Sequence, residues 1–382
     1  MSDLKIPFNK PFVAGKELFY VAQAVTRGNL GGDGYYTQAC CRLLEETFGI
    51  PKVLLTPSCT AALEMAAILC DLEPGDEVIM PSYTFVSTAS AFVREGARPV
   101  FVDIRPDTLN IDETLIESAI TEKTKAICVV HYAGVGCEMD TIVEIARKYN
   151  LLLIEDAAQG VNAFYKGRAL GSIGDLGCYS FHETKNFICG EGGALCINNP
   201  RFQERAEIIR DKGTNRQKFM RGQVDKYTWV DIGSSYVPSE LCSAFLFGQL
   251  EMMDSITECR RLLHARYNEE LKSLSDNGFI DLNPIPDDCV SNFHMFYLLA
   301  RSQEERNRLL DHCQKMGVGA VFHYVPLHSS PVGLEFSKNS NLRFTEELSN
   351  RLLRLPFFHD MTPVEQSRIV QTIHNFFDTT NG

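Results

Sequence analysis

The chain has 382 residues, 45% hydrophobic and 23% charged, which suits a folded protein with more than one core and leaves little room for extended disorder. A formal net charge of -12, with no basic tract and no zinc-finger spacing, argues against nucleic acid as a partner. No apolar run reaches the ~18 residues of a membrane span, MSDLKIPFNKP lacks the charge-then-apolar order of a leader, and the thirteen cysteines include no C-x-x-C pair, so the expectation is a cytoplasmic, reducing location with no membrane partner.

The first readable element is KVLLT at Lys52, followed by a helix opening near Ser58. Strand-like EVIMP, a helix in TFVSTASAFVREG and strand-like RPVFVDI come next, punctuated by Pro74-Gly75-Asp76. The alternation continues through a helix from Glu113 to Ile120, KAICVVHY, a helix from Met139 to Tyr149, and LLLIED. Such alternation specifies right-handed crossovers and a mostly parallel α/β sheet buried on both faces. Polar residues just after its strands, Thr56 to Thr60, His131 and Asp156, then lie where open α/β sheets collect ligands. Beyond Gly248 a charge-laced helix, Leu250 to Lys272, reads as a bridge to a smaller α+β unit. The expected division is residues 1-248, a large domain with the N-terminal segment, and residues 249-382, the bridging helix and small C-terminal domain.

The chemistry-bearing pattern is an acid closing an apolar strand, Asp156 in IEDAAQG, and a lysine 29 residues later, Lys185 in SFHETKN. A lysine amine can condense with an aldehyde cofactor, and a carboxylate beside a pyridine nitrogen keeps the ring protonated and electron-withdrawing. Ser58, Cys59 and Thr60 sit where a strand ends and a helix opens, so their N–H groups and hydroxyls suit a phosphate, and Ser180 offers one more hydroxyl. Taken singly, each signal fits a helix cap, an ion pair or a solvated loop. The combination is what points to catalysis.

PSYTFVSTA, FVDI, HYAG, EDAAQG, SFHETKN, GEGGA and YVPLH occur in order, and through them the chain from Ile6 to Phe377 resembles the DegT/DnrJ/EryC1/StrS sugar aminotransferases. The resemblance implies the aspartate aminotransferase-like fold type I of pyridoxal-phosphate (PLP) enzymes, a homodimer with shared active sites, and amino transfer from L-glutamate to a nucleotide-linked 4-keto sugar. It also implies roles: Lys185 bonds the cofactor aldehyde, Asp156 pairs the ring nitrogen, and Gln159 lies by the ring and its phenolic oxygen. Phe85 stacks on the ring, and Cys59, Thr60 and Ser180 hold the phosphate. The family reaches that phosphate from the neighbouring subunit with Asn in G-x-N-Y-R; here GSSY places Ser235 there. Tyr324 and His328 are expected to border the sugar pocket.

Arg216, Arg221 and Lys226 could meet a diphosphate or simply form a solvated charged surface. His182 could orient the site or be structural, and GEGGA reads as a tight turn into strand ALCIN rather than a phosphate loop. GGDG at Gly31 reads as a flexible turn. His323 and His328 lack the further ligands a metal would need. A sugar dehydratase on the same fold carries histidine at the lysine position, and a non-catalytic relative would have lost the lysine or the aspartate. Both residues are present.

Overall fold

The computed structural model describes residues 5–282, 284–337 and 342–380. Seven strands form the main sheet: β1 (Lys52–Thr56), β2 (Glu77–Pro81), β3 (Arg98–Val102), β4 (Thr124–Val130), β5 (Leu152–Asp156), β6 (Leu176–Ser180) and β7 (Gly193–Ile197). Their order is β1-β7-β6-β5-β4-β2-β3. Only β7 runs against its neighbours, pairing antiparallel with both β6 and β1, while β2 with β3, β2 with β4, β4 with β5, and β5 with β6 are parallel. The central strands are buried along nearly their whole length, as their Val, Ile, Leu and Cys runs require of a sheet covered on both faces.

Helices Cys59–Leu69 and Val86–Arg94 pack one face around Ala62, Met65, Phe92 and Ile154. Helix Met139–Tyr149, with the bounds read from the sequence, helps cover the opposite face around Ile127, Ile142 and Leu153. The helix expected over Leu250 to Lys272 is Met253–Asp276, and a separate helix, Glu240–Leu250, precedes it. The longer one carries two cores along its length. Met253 and Ile256 belong with Leu55, Tyr179 and Phe181 of the sheet, whereas Tyr267, Leu271 and Leu274 join Phe296, Leu309, Leu353 and Ile369.

That last core backs a three-stranded antiparallel sheet, with Tyr297–Ala300 between Ile280–Leu282 and Leu352–Arg354. The N-terminal segment reaches it. Ile6 bridges Val318, with its N–H donating to the Gly317 carbonyl and its carbonyl accepting from the Gly319 N–H, both at 2.9 Å. Farther on, Asn9 Nδ2 donates to the Glu183 carbonyl at 3.1 Å.

GGDG is anchored rather than loose. Asp33 accepts from Arg210 at 2.6 Å and from Gln217 at 2.8 Å, and the Gly34 and Tyr36 N–H groups donate to the buried Glu240 carboxylate, each at 2.9 Å. The anchoring acid lies some 200 residues downstream, so no local pattern could have revealed it. All thirteen cysteines are free thiols and none is exposed, as small buried hydrophobes would be.

Candidate functional site

Period-two alternation sends the two acids closing β5 to opposite faces. Glu155 turns away from the cavity and is fully buried. One of its oxygens accepts from His131 Nε2 at 2.9 Å and the Gly171 N–H at 2.8 Å; the other accepts from the Ile173 and Gly174 N–H groups at 2.6 and 2.7 Å. His131 Nδ1 accepts from the Cys137 N–H, so the ring is neutral with its proton on Nε2. This pair is structural, locking the ends of β4 and β5.

Asp156 points to the other face. Its Oδ2 accepts from Thr88 Oγ1 at 2.7 Å and its Oδ1 from the Ala158 N–H at 3.1 Å. Thr84 Oγ1 lies 2.7 Å from the Thr88 hydroxyl and donates to it, which fixes the direction of the chain of bonds. Burial holds the Asp156 carboxyl above its usual range, against the pull of these hydrogen bonds and of Lys185.

Lys185 sits in a loop between β6 and β7 that closes on itself. The Phe181 N–H donates to Gly192, the Glu183 N–H to Gly190, and the Lys185 N–H to His182. GEGGA is therefore the return leg of the lysine loop, with Gly190 at φ +83° making the turn. The next residue is fixed as well: Asn186 Nδ2 donates to the Asn292 carbonyl, and Asn186 Oδ1 accepts from His294 Nδ1, both at 2.8 Å. Burial pulls the Lys185 ammonium below its ordinary value, opposed by Cys59 and Asp156 and reinforced by Arg354. Among the described residues no hydrogen bond or ion pair engages its amine.

Asp156, Lys185, Cys59, Thr60, Phe85, Gln159, Ser180, His182 and Tyr324 all line one cavity of about 540 Å³ at the carboxyl ends of the strands. Three features fit a flat, phosphorylated aldehyde there. Ser58 caps helix Cys59–Leu69 through the Ala61 N–H, and among the described residues the Cys59 and Thr60 N–H groups have no partner, so two donors and the helix dipole await an anion. Gly193 passes so close that a Cβ there would lie 2.4 Å from Cys59 N. Phe85, 57% exposed, presents a ring at the mouth, 6.2 Å from that of Tyr324. Gln159 spans the remaining wall, accepting from the Ala133 N–H at 2.6 Å and donating to the Tyr324 hydroxyl at 3.2 Å.

Other expected residues are not brought to this cavity. Ser235 is exposed and bridges Asp211; Arg221 makes a bidentate pair with Glu207, and Arg216 bonds Asp211. Lys226 is exposed on the same excursion. His328 is buried behind Ser82, whose Oγ is 2.7 Å from its Nδ1, whereas His323 does line the cavity, its Nδ1 3.0 Å from the Tyr132 hydroxyl. These two histidines thus face different partners. The cavity also recruits groups that the sequence reading missed. Thr88, which bonds Asp156, could have been found as a hydroxyl in the first turn of helix Val86–Arg94, and Arg354 as a charge inside the apolar run LLRLPFF. His294 has no local signal.

A model of the DegT/DnrJ/EryC1/StrS aminotransferase family matches residues 13–374. An uncharacterized protein of Methanocaldococcus jannaschii is 35% identical over 324 residues, 83% of each chain. The aminotransferase TlmJ of Streptoalloteichus hindustanus superposes with a TM-score of 0.91 at 26% identity, over 99% of this chain and 100% of that one. The PLP form of a candidate sugar aminotransferase of Streptococcus pneumoniae gives 0.90 at 26% identity, over 98% and 99%.

Proposed function

This chain belongs to the DegT/DnrJ/EryC1/StrS aminotransferase family, and from that premise we propose that it carries an amino group from L-glutamate to the C4 ketone of a nucleotide-linked 4-keto-6-deoxy sugar. It is a PLP-dependent aminotransferase of fold type I. The substrate we propose is dTDP-4-dehydro-6-deoxy-D-glucose, giving dTDP-4-amino-4,6-dideoxy-D-galactose. PSCTAALEMAA, HETKN, KGTNR and RGQVDKYTWVDIGSSY support this, resembling segments of the transaminase that makes this sugar for enterobacterial common antigen.

The carrying observation is the juxtaposition in one cavity of a Lys185 amine without a partner among the described residues and a buried, hydrogen-bonded Asp156. When bound, the cofactor supplies an aldehyde that accepts the amine and a ring that withdraws the electron pair left on carbon. The Lys185 amine, free in the cavity, would then move a proton to and from the reacting carbon of a bound substrate. Its lowered affinity for protons suits that task. Asp156 would stabilise a protonated ring nitrogen, and Thr88 and Ala158 fix the direction in which the carboxylate points. Cys59, Thr60 and Ser180 would hold the phosphate, Phe85 would cover the ring, and Gln159 with Tyr324 would border its phenolic oxygen.

We propose a homodimer with shared active sites. Supporting this, Ser235 lies outside its own chain's cavity, in a stretch that exposes Met220, Tyr227, Trp229 and Ile232 to solvent. Exposed Arg216 and Lys226 on the same excursion are then available to a diphosphate. His182 stands at the cavity rim, 3.6 Å from Glu191, where it can orient the sugar. The deciding experiment mixes enzyme, L-glutamate and dTDP-4-keto-6-deoxyglucose and assigns the C4 configuration of the product by NMR. An axial amine is expected; an equatorial amine, or no product, overturns the substrate assignment.

A further inference from the structure

One histidine ties the lysine loop to the segment before strand Tyr297–Ala300. Asn186 follows Lys185, and its Nδ2 must donate to the Asn292 carbonyl, which can only accept, so its Oδ1 faces His294. His294 Nδ1 therefore carries the proton of that 2.8 Å bond. Burial and the positive charges of Lys185, Arg354 and Arg260 keep the ring from taking a second proton, which leaves Nε2 with a bare lone pair. Among the described residues no hydrogen bond engages Nε2. Yet the ring lines the cavity that holds Lys185, and it shares a second recess of about 10 Å³ with Lys185, Ser180 and Asn186. Its place is fixed from behind: Arg260, on helix Met253–Asp276, donates to the Phe293 and His294 carbonyls at 3.0 and 2.6 Å.

We infer that His294 is a positioning residue for Lys185: its Nε2 accepts a hydrogen bond from the Lys185 ammonium whenever that amine is free and protonated. This rests on Lys185 being the amine that bonds the cofactor and moves the proton, as proposed above. A buried ammonium has three N–H donors, and leaving them unmatched is costly. The groups that face this amine are Cys59, Asp156, Arg354, His323 and His294. Asp156 already accepts from Thr88 and Ala158. Arg354 has no lone pair to offer, and His323 turns Nε2 to Arg354 and Nδ1 to Tyr132. The Cys59 sulfur, kept protonated by burial, is a weak acceptor. His294 Nε2 is the uncommitted strong one. Its neutrality matters to the chemistry. A carboxylate in its place would hold the proton on the amine too firmly, whereas a neutral imidazole steadies the ammonium and leaves it able to return the proton to carbon. The proton travels from carbon to Nζ and back, and His294 never takes it.

The two ring nitrogens can be tested apart. His294→Asn keeps a donor at the δ position for Asn186 and removes the cavity acceptor, whereas His294→Gln gives up the δ donor and keeps a carbonyl at the ε position. The first readout is the apparent pKa of the Lys185 amine in the full-length, cofactor-free protein, taken from the pH dependence of its acetylation by acetic anhydride with peptide mass mapping. His294→Asn should lower it by about one to two pH units, the size expected of one hydrogen bond to a charged group, and His294→Gln by less than half as much. In the holoenzyme the glutamate half-reaction, in which the amino acid aminates the cofactor, is followed by the cofactor spectrum after rapid mixing. His294→Asn should slow it about tenfold at an unchanged half-saturating glutamate concentration. An amine pKa unchanged in His294→Asn overturns the inference. So does an equal fall in both variants, which would assign the effect to the loop rather than to Nε2. Borohydride reduction of the wild-type holoenzyme checks the premise: a cofactor fixed to another lysine removes the role of Lys185, and this inference with it, whereas label on Lys185 leaves the acetylation result to decide.

Discussion

The close approach at Gly193 makes a quantitative demand on the site. A Cβ built there lies 2.4 Å from both Cys59 N and Ser58 C, and 2.5 Å from Ser58 O. All three are backbone atoms, so no side chain can swing aside. Relief to an ordinary contact of about 3.4 Å requires roughly 1 Å of movement, at an overpacking cost of about 1–3 kcal/mol. Pairing of Gly193 with Ser180 on one side and Thr56 on the other resists movement of the strand. The displacement therefore falls on Ser58 and Cys59, whose N–H groups are the proposed phosphate donors. Misplacement of about 1 Å costs on the order of 10²-fold in rate. Gly193→Ala is thus expected to remain folded by circular dichroism, to bind PLP more weakly in absorbance titration, and to slow the glutamate half-reaction about 10²-fold. Full cofactor occupancy with an unchanged half-reaction would refute the reasoning.

Other outcomes follow from the buried charges. Asp156→Asn should abolish turnover yet raise the melting temperature of the cofactor-free protein at neutral pH. Burial has raised the folded carboxyl's proton affinity, so the stability it contributes is present at low pH and lost as pH rises through its folded value, whereas Asn carries no charge to bury; a lower melting temperature contradicts this. Glu155→Gln should cost roughly 3 kcal/mol in urea denaturation, because either orientation of the amide turns an NH₂ toward N–H donors that now bond a carboxylate oxygen; a neutral substitution would show that those bonds contribute little. His264 is pulled down to about 4 from 6.5 by burial and Arg260. The unfolded chain then binds more protons between those values, so stability falls as pH drops from 6.5 to about 4. His264→Gln should flatten the urea midpoint over that window, and an unchanged slope would assign the acid sensitivity elsewhere.

The sheet was legible because its determinants are local. Apolar runs, turn residues and helix periods between Lys52 and Ile197 set strands and helices within a few residues of their observed bounds. Asp156, Ser58 to Thr60 and Ser180 were legible for a related reason: strand ends carry them to one rim whatever the rest of the chain does. What escaped depends on long-range contact. His294 and Asn186 meet across 108 positions, Arg354 enters the Lys185 cavity from more than a hundred positions downstream of that lysine, and the anchoring of Asp33 by Arg210 crosses 177 positions. Helix Glu240–Leu250 was not read from the sequence, whereas the longer helix after it was, to within a few residues of its bounds. Charged side chains around Arg216 to Lys226 gave no direction, since exposed arginines satisfy themselves with nearby acids.

The segment from Ile6 to Asn9 has a practical bearing. Ile6, Phe8 and Asn9 fasten in turn the Val318 segment, the guanidinium in the cavity wall and the loop that bears the reactive lysine. Trimming these residues, or crowding them with a fused tag, would loosen three parts of the catalytic chamber together while sparing the sheet. Affinity handles belong at the other end of the polypeptide, and preparations clipped near Phe8 should be checked for cofactor loss before low activity is blamed on the substrate.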